Sequence, residues 1–225
     1  MKKRLTVKEA VSHLDHHGAL LIFPIKNRTE PLSLWQCFFP RKAMKWEWTD
    51  DADDGVAQLW HLRAILSSSR GAVYTKWYQG RAAVLSLKLF RAMIGVVAGE
   101  SDPLCHLSLE ARKILELLED DSPLPTKRLR ALAELSGKEN ERAFTKGMRE
   151  LWSRLLIVGY GEIEEGGFPS LTVGATRLLF EQEWEEGARM SAAERERVVL
   201  SLLSHQPQFL RAYRKFEAVV ATGAG

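Results

Sequence analysis

SLEARKILELLEDDSPLPTKRLRALAELSGKENERAFTKGMRELWSRLLIVGYGEIEEGGFPSLTVG, residues 108–174, decides the fold. Leu109, Ile114, Leu117 and Leu118 fall on one side of a first helix and form its inward face. Ser122-Pro123-Leu124-Pro125 breaks it. Thr126 stands where an N-cap belongs, before a second helix carrying Leu129, Leu132 and Leu135. Gly137 supplies a tight turn, and a third helix over about 138–154 turns Phe144, Met148, Leu151, Trp152 and Leu155 inward. Two apolar strands, LLIVGYGEI and FPSLTV, then flank an acidic glycine turn, EEGG. Three helices followed by such a hairpin make the pattern of a winged helix-turn-helix, whose third helix usually faces a DNA groove.

The outer face of that third helix shows Lys138, Arg142, Lys146 and Arg149 three to four residues apart, spaced to follow phosphates. Asn140 and Thr145 are polar enough to read base edges, and Lys127 and Arg128 extend the basic face onto the second helix. The plainer reading is a solvated helix on which Glu139, Glu141 and Glu150 pair locally with the bases.

The chain has 225 residues, of which 45% are hydrophobic and 27% charged, with a formal net charge of +3. This is enough for one large domain or two small ones, and the balance is that of a globular protein. Nothing approaches 18 consecutive apolar residues, which argues against a transmembrane helix. The basic opening lacks an apolar stretch like that of a signal peptide. Two cysteines, Cys37 and Cys105, with no CxxC, argue against a disulfide framework and point to the cytoplasm. Charge is uneven. Residues 1–104 hold 15 Lys+Arg against 10 Asp+Glu, and residues 105–190 hold 12 against 16. Within the latter, residues 125–154 carry 8 basic and 4 acidic side chains, so a locally basic face survives in an acidic module. DNA binding through it should be weak and strongly salt-dependent.

Outward from this core, Thr6 to His17 reads as a helix ended by Gly18, followed by the apolar run ALLIFPI at 19–25 and an irregular basic, aromatic connector over 26–45. A helix is expected within 53–67. Val73 to Tyr78 and Ala82 to Leu87 read as a β-hairpin around Gln79-Gly80-Arg81, leading into the helix LKLFRAMIGVVA at 87–98. GESDP at 99–103 is the best internal boundary. Helices are expected over 175–187, 191–204 and 207–220. The expectation is a mainly α protein with small β elements: a mixed N-terminal module over 1–104, a winged-helix module over 105–190 and a helical tail over 191–225.

Other constellations carry less. Tyr74, Lys76 and Tyr78 alternate on one strand face with Arg81 in the turn, and Trp46 and Trp48 share one side of an extended segment. Trp46, Trp48, Tyr74, Lys76 and Arg81 are therefore candidates for an aromatic pocket that stacks a base and holds a phosphate. Packing of the same rings in the core is the plainer reading. His13, His16 and His17 sit at helical spacing, but the helix dipole favours histidine in a last turn and the one acidic neighbour, Asp15, points elsewhere, so no metal is assigned. No serine triad, calcium loop or glycine-rich phosphate loop is present, and no cofactor is implied.

Together WEW at 46–48, GAVYTKWYQGRAAVLSLKLF at 71–90 and LLIVGYGEIEEGGFPSLTVGATRLLFEQEW at 155–184 resemble the AlkZ-like (YcaQ-like) winged-helix family, which includes bacterial DNA glycosylases that unhook crosslinked bases. The likeness is greatest to its short, AlkZ-related members and covers roughly residues 5–187. The glycosylases carry a Gln-x-Gln or Gln-x-Asp motif soon after the first helix that positions the hydrolytic water. Here that place is occupied by Leu21-Ile22-Phe23, which cannot polarise water, and the letters Gln206-Pro207-Gln208 stand in another part of the chain. The resemblance implies the fold and a DNA-related setting, in repair or regulation, without base excision. The expected function is non-catalytic binding of duplex DNA. A divergent glycosylase is one alternative. The other is a protein-interaction module, with 191–220 as the surface for a partner or a second copy.

Overall fold

The computed structural model describes residues 4–46, 55–99, 104, 106–165 and 168–222. The chain begins with α1 (Val7–His17), whose first turn is held by the Thr6 hydroxyl accepting from the Glu9 N–H at 3.2 Å. It stops at Gly18, whose φ of +75° suits glycine. Then come β1 (Ala19–Leu21), α2 (Leu34–Phe38), α3 (Gly55–Ser68), β2 (Val73–Thr75), β3 (Ala83–Leu85) and α4 (Leu87–Ala98). The second part runs α5 (Leu109–Asp120), β4 (Leu124–Pro125), α6 (Thr126–Leu132), α7 (Glu141–Ser153), β5 (Ile157–Glu165) and β6 (Phe168–Ala175). It closes with α8 (Thr176–Leu179), α9 (Glu181–Arg189), α10 (Ala192–Leu203) and α11 (Pro207–Thr222). The protein is mainly α with small β elements, as expected, and α5, α6, α7, β5 and β6 follow in the order read from residues 108–174, with the short β4 an unexpected addition between the first two helices.

All six strands join one antiparallel sheet in the order β1-β3-β2-β5-β6-β4. The seam between the N-terminal strands and the wing is the pairing of Tyr74 with Gly159. A Cβ on Gly159 would lie 2.4 Å from the Tyr74 ring, so only glycine lets the ring cross here. The sheet thus runs across the 104/105 boundary, and the buried residues of both sides, from Leu14 and Phe90 to Leu151 and Phe209, form a single cluster.

Several local expectations need correction. The hairpin strands are shorter than expected, because the Thr75 hydroxyl accepts the Trp77 N–H at 3.0 Å and Gln79 and Gly80 both take positive φ. Residues 76–82 are therefore a long turn. In α5 the inward positions are Ala111, Ile114, Leu115 and Leu118, while Leu109 is 81% exposed, because the first helical residue falls on the solvent side. Thr126 makes no capping bond. Leu124 and Pro125 pair with β6 instead, and Leu132 faces solvent. The third helix starts at Glu141, so Lys138 and Asn140 lie in the turn before it, opened by Gly137 at φ +90°. Most apolar residues of 191–220 point inward, although Leu200 is 41% exposed. Val199, Leu203, Phe209, Tyr213 and Phe216 are buried, so the segment offers little apolar support for the partner reading.

Candidate nucleic-acid interface

α7 divides as its sequence requires. Phe144, Met148, Leu151 and Trp152 are buried, whereas Arg142, Thr145, Lys146 and Arg149 are exposed. The helix is locked by packing against α5 and by Glu150, whose carboxylate accepts the Ser108 N–H at 3.0 Å and hydroxyl at 2.8 Å. Glu150 thereby anchors the start of α5, and it also lines the cleft beside Lys146 and Arg149. Glu141 pairs with Arg130, whose guanidinium lies 4.6 Å from the Phe144 ring centroid. Among the described residues, Arg142, Lys146 and Arg149 enter no ion pair.

Facing α7 across a cleft of ≈ 650 Å³ is α11, which contributes Arg211 and Lys215. Lys146 and Arg149 form the opposite wall, with Arg154 and His106 also lining it. The floor is aromatic. Trp77 and Tyr78, from the turn between β2 and β3, meet Phe216 and Phe209, with Trp77 stacked on Phe209 at 6.3 Å and edge-on to Phe216 at 6.4 Å. The Tyr78 hydroxyl donates to Gln208 Oε1 at 3.2 Å, and the Gln208 amide donates to the Glu30 carbonyl at 3.4 Å. Facing cations over apolar rings can hold phosphates at the rim and stack a base or sugar within.

The sequence candidates divide between this cleft and other places. Lys146 and Arg149 line it, and Arg142 continues their row along α7. Lys138 is exposed in the preceding turn, and the Asn140 amide is turned back to the Ser136 carbonyl at 2.9 Å. Thr145 is exposed on α7, four residues after Glu141. Lys127 and Arg128 are exposed on α6, with Arg128 3.7 Å from Asp121. The described aromatic-pocket residues have separate surroundings. Tyr74 is 2% exposed, beside Arg63 and Trp152 in the core, and burial pushes its phenol pKa up. Lys76 is half-buried 6.0 Å from the Trp152 ring, and burial followed by the Arg63 charge pushes its pKa down. Trp46 is 62% exposed and leans on Phe23 at 4.9 Å, Arg81 is exposed in the turn, and Trp48 lies outside the described residues.

Leu21 and Ile22 are buried and Phe23 is half-buried against the core. The α11 wall went unread in the sequence. Its signal was present, since Arg211 and Lys215 are four residues apart on the face opposite Phe209, Tyr213 and Phe216. Away from the cleft, ligand atoms of His13, His17 and Cys37 lie within 4.8 Å of one another. Burial, then the neighbouring histidines His16, His205 and His13, lowers the His17 pKa to about 4, and burial raises that of Cys37 to about 11.

The AlkZ-related family model matches residues 5–214, and the chain belongs to that family. Neither a search of curated proteins nor one of solved structures returned a match.

Proposed function

We propose that this member of the AlkZ-related family binds duplex DNA without catalysis, in the setting of repair or regulation, with the α7–α11 cleft gripping one strand's backbone. The observation that carries this is the convergence of Lys146 and Arg149 with Arg211 and Lys215 over the Trp77–Phe216 floor. Two of these cations come from the helix that a winged-helix protein turns to DNA. The other two come from a helix more than fifty residues later. The acidic balance of the surrounding module keeps the affinity modest and its salt dependence steep.

The test is fluorescence anisotropy of a labelled duplex at a series of salt concentrations. Replacing Lys146 and Arg149 by Ala should weaken binding and reduce the slope of log K against log salt by about one unit per lost phosphate contact. Equal affinity and slope for wild type and double variant would overturn the reading. A divergent glycosylase remains the second reading, favoured by one observation: the Gln208 amide and the Trp77 ring share the cleft. Against it, Gln208 is engaged through its oxygen by Tyr78 and through its nitrogen by Glu30.

A further inference from the structure

We propose that His13, His17 and Cys37 form a mononuclear zinc-class metal site whose fourth position is open to water or a small ligand. His13 and His17 are four residues apart on α1 and share one of its faces. α2 lies against that helix. It is fixed by a capping box in which the Ser33 hydroxyl accepts the Gln36 N–H and the Gln36 side chain accepts the Ser33 N–H at 2.9 Å. This one-turn helix carries Cys37, and its neighbour Phe38 packs edge-on to His13 at 5.6 Å. The result is two imidazole nitrogens and one thiol sulfur within 4.8 Å of one another, all half-buried.

A tetrahedral zinc centre, with bonds of about 2.0 Å to nitrogen and about 2.3 Å to sulfur, needs its ligand atoms about 3.5 Å apart. The donor set decides the class of ion: one thiolate and two imidazoles suit zinc or cobalt and are poor partners for magnesium or calcium. Helix-dipole stabilisation accounts for histidine in the last turn of α1, but not for a cysteine brought against it from another element.

A further contact fits the assignment. His17 Nδ1 lies 3.3 Å from His205 Nε2, an arrangement that leaves His17 Nε2 for the metal and uses the other nitrogen to orient the ring. His205 precedes Gln206, whose amide donates to the His17 carbonyl at 2.6 Å. A metal here would brace the corner from which α11 departs toward the cleft.

The experiment is titration of the chelator-treated full chain with Co(II) under reducing conditions. One equivalent should bind, with a thiolate-to-cobalt charge-transfer band and the visible bands of a four-coordinate ion, and zinc should displace it. Cys37→Ser should abolish the charge-transfer band, and His13→Gln should weaken binding at least ~10-fold. Cys105→Ser should leave both band and affinity unchanged. No charge-transfer band in the wild type, or a band that survives Cys37→Ser, would overturn the site. Should circular dichroism show Cys37→Ser unfolded, the decision passes to His13→Gln, for which unchanged cobalt affinity overturns the proposal.

Discussion

The Arg63 guanidinium donates to the Glu162 carboxylate, joining α3 to β5 just after the bulge between Gly159 and Glu162. Both side chains are nearly buried, 7% and 11% exposed, and Arg63 also lies 4.1 Å from the Trp60 ring centroid. The sequence shows Glu162 only as the first of the wing's acids. In the fold it is the counter-charge of a nearly buried cation. Removing one partner of such a pair strands the other, at a cost of about 3–5 kcal/mol. Glu162→Ala should therefore lower the urea midpoint strongly, and Glu162→Gln less, because the amide can still accept. A loss under about 1 kcal/mol for Glu162→Ala would mean that solvent reaches Arg63.

The crossing of α4 and α9 depends on two glycines. A Cβ on Gly187 would come 2.6 Å from the Arg91 carbonyl, and one on Gly95 would come 2.5 Å from the Gly187 carbonyl. Backbone atoms cannot rotate aside as a side chain can. Gly187→Ala should destabilise by about 1–3 kcal/mol through overpacking, despite alanine's better helix propensity. Thermal denaturation checks this, and an unchanged midpoint would show that the helices separate freely.

Phe144 is 6% exposed on the inner face of α7. Phe144→Ala should cost about 3–5 kcal/mol and loosen the α5–α7 packing on which the basic face depends. Equilibrium unfolding and hydrogen exchange in 109–153 measure it. Protection there equal to wild type would place the stability of the helix elsewhere.

The α11 wall should matter as much as the α7 wall. Arg211→Ala with Lys215→Ala should reduce duplex affinity and flatten its salt dependence by about one unit of slope per lost phosphate contact. Lys127→Ala with Arg128→Ala should do less, because neither residue lines the cleft. The reverse ranking would move the DNA path from the cleft to α6.

Base excision should be absent. Breaking an N-glycosidic bond needs a group that aligns water and others that stabilise the positive charge developing on the sugar. Leu21 and Ile22 are buried, Phe23 packs on Trp46, and the Gln208 amide is engaged at both ends. Losing even one preorganised polar group raises a barrier by about 2.7–4 kcal/mol. Single-turnover incubation with duplexes carrying alkylated or crosslinked purines, followed by abasic-site cleavage, should give no product above the enzyme-free rate. Product that disappears in Gln208→Ala, or in a variant of Glu47 or Asp50–Asp54, outside the described residues, would establish the glycosylase alternative.

The sequence by itself determined the local elements. Helical spacing marked α1, α4, α5 and α7, Gly18 and Gly137 marked two ends, and the inward and outward faces of α7 followed from Phe144, Met148 and Leu151 against Arg142, Lys146 and Arg149. Its motifs also pointed to the family. These signals are short-range, since propensity, capping and periodicity are written within a few turns of chain. Only the tertiary structure decided that Tyr74 pairs with Gly159, that Arg211 and Lys215 face Lys146 and Arg149, that Arg63 meets Glu162, and that Cys37 meets His13 and His17. The partners in the first three sets are separated by tens of residues, and Cys37 lies on a different helix from its histidines. Which of them meet depends on how all the apolar faces are buried at once, and no local pattern records that.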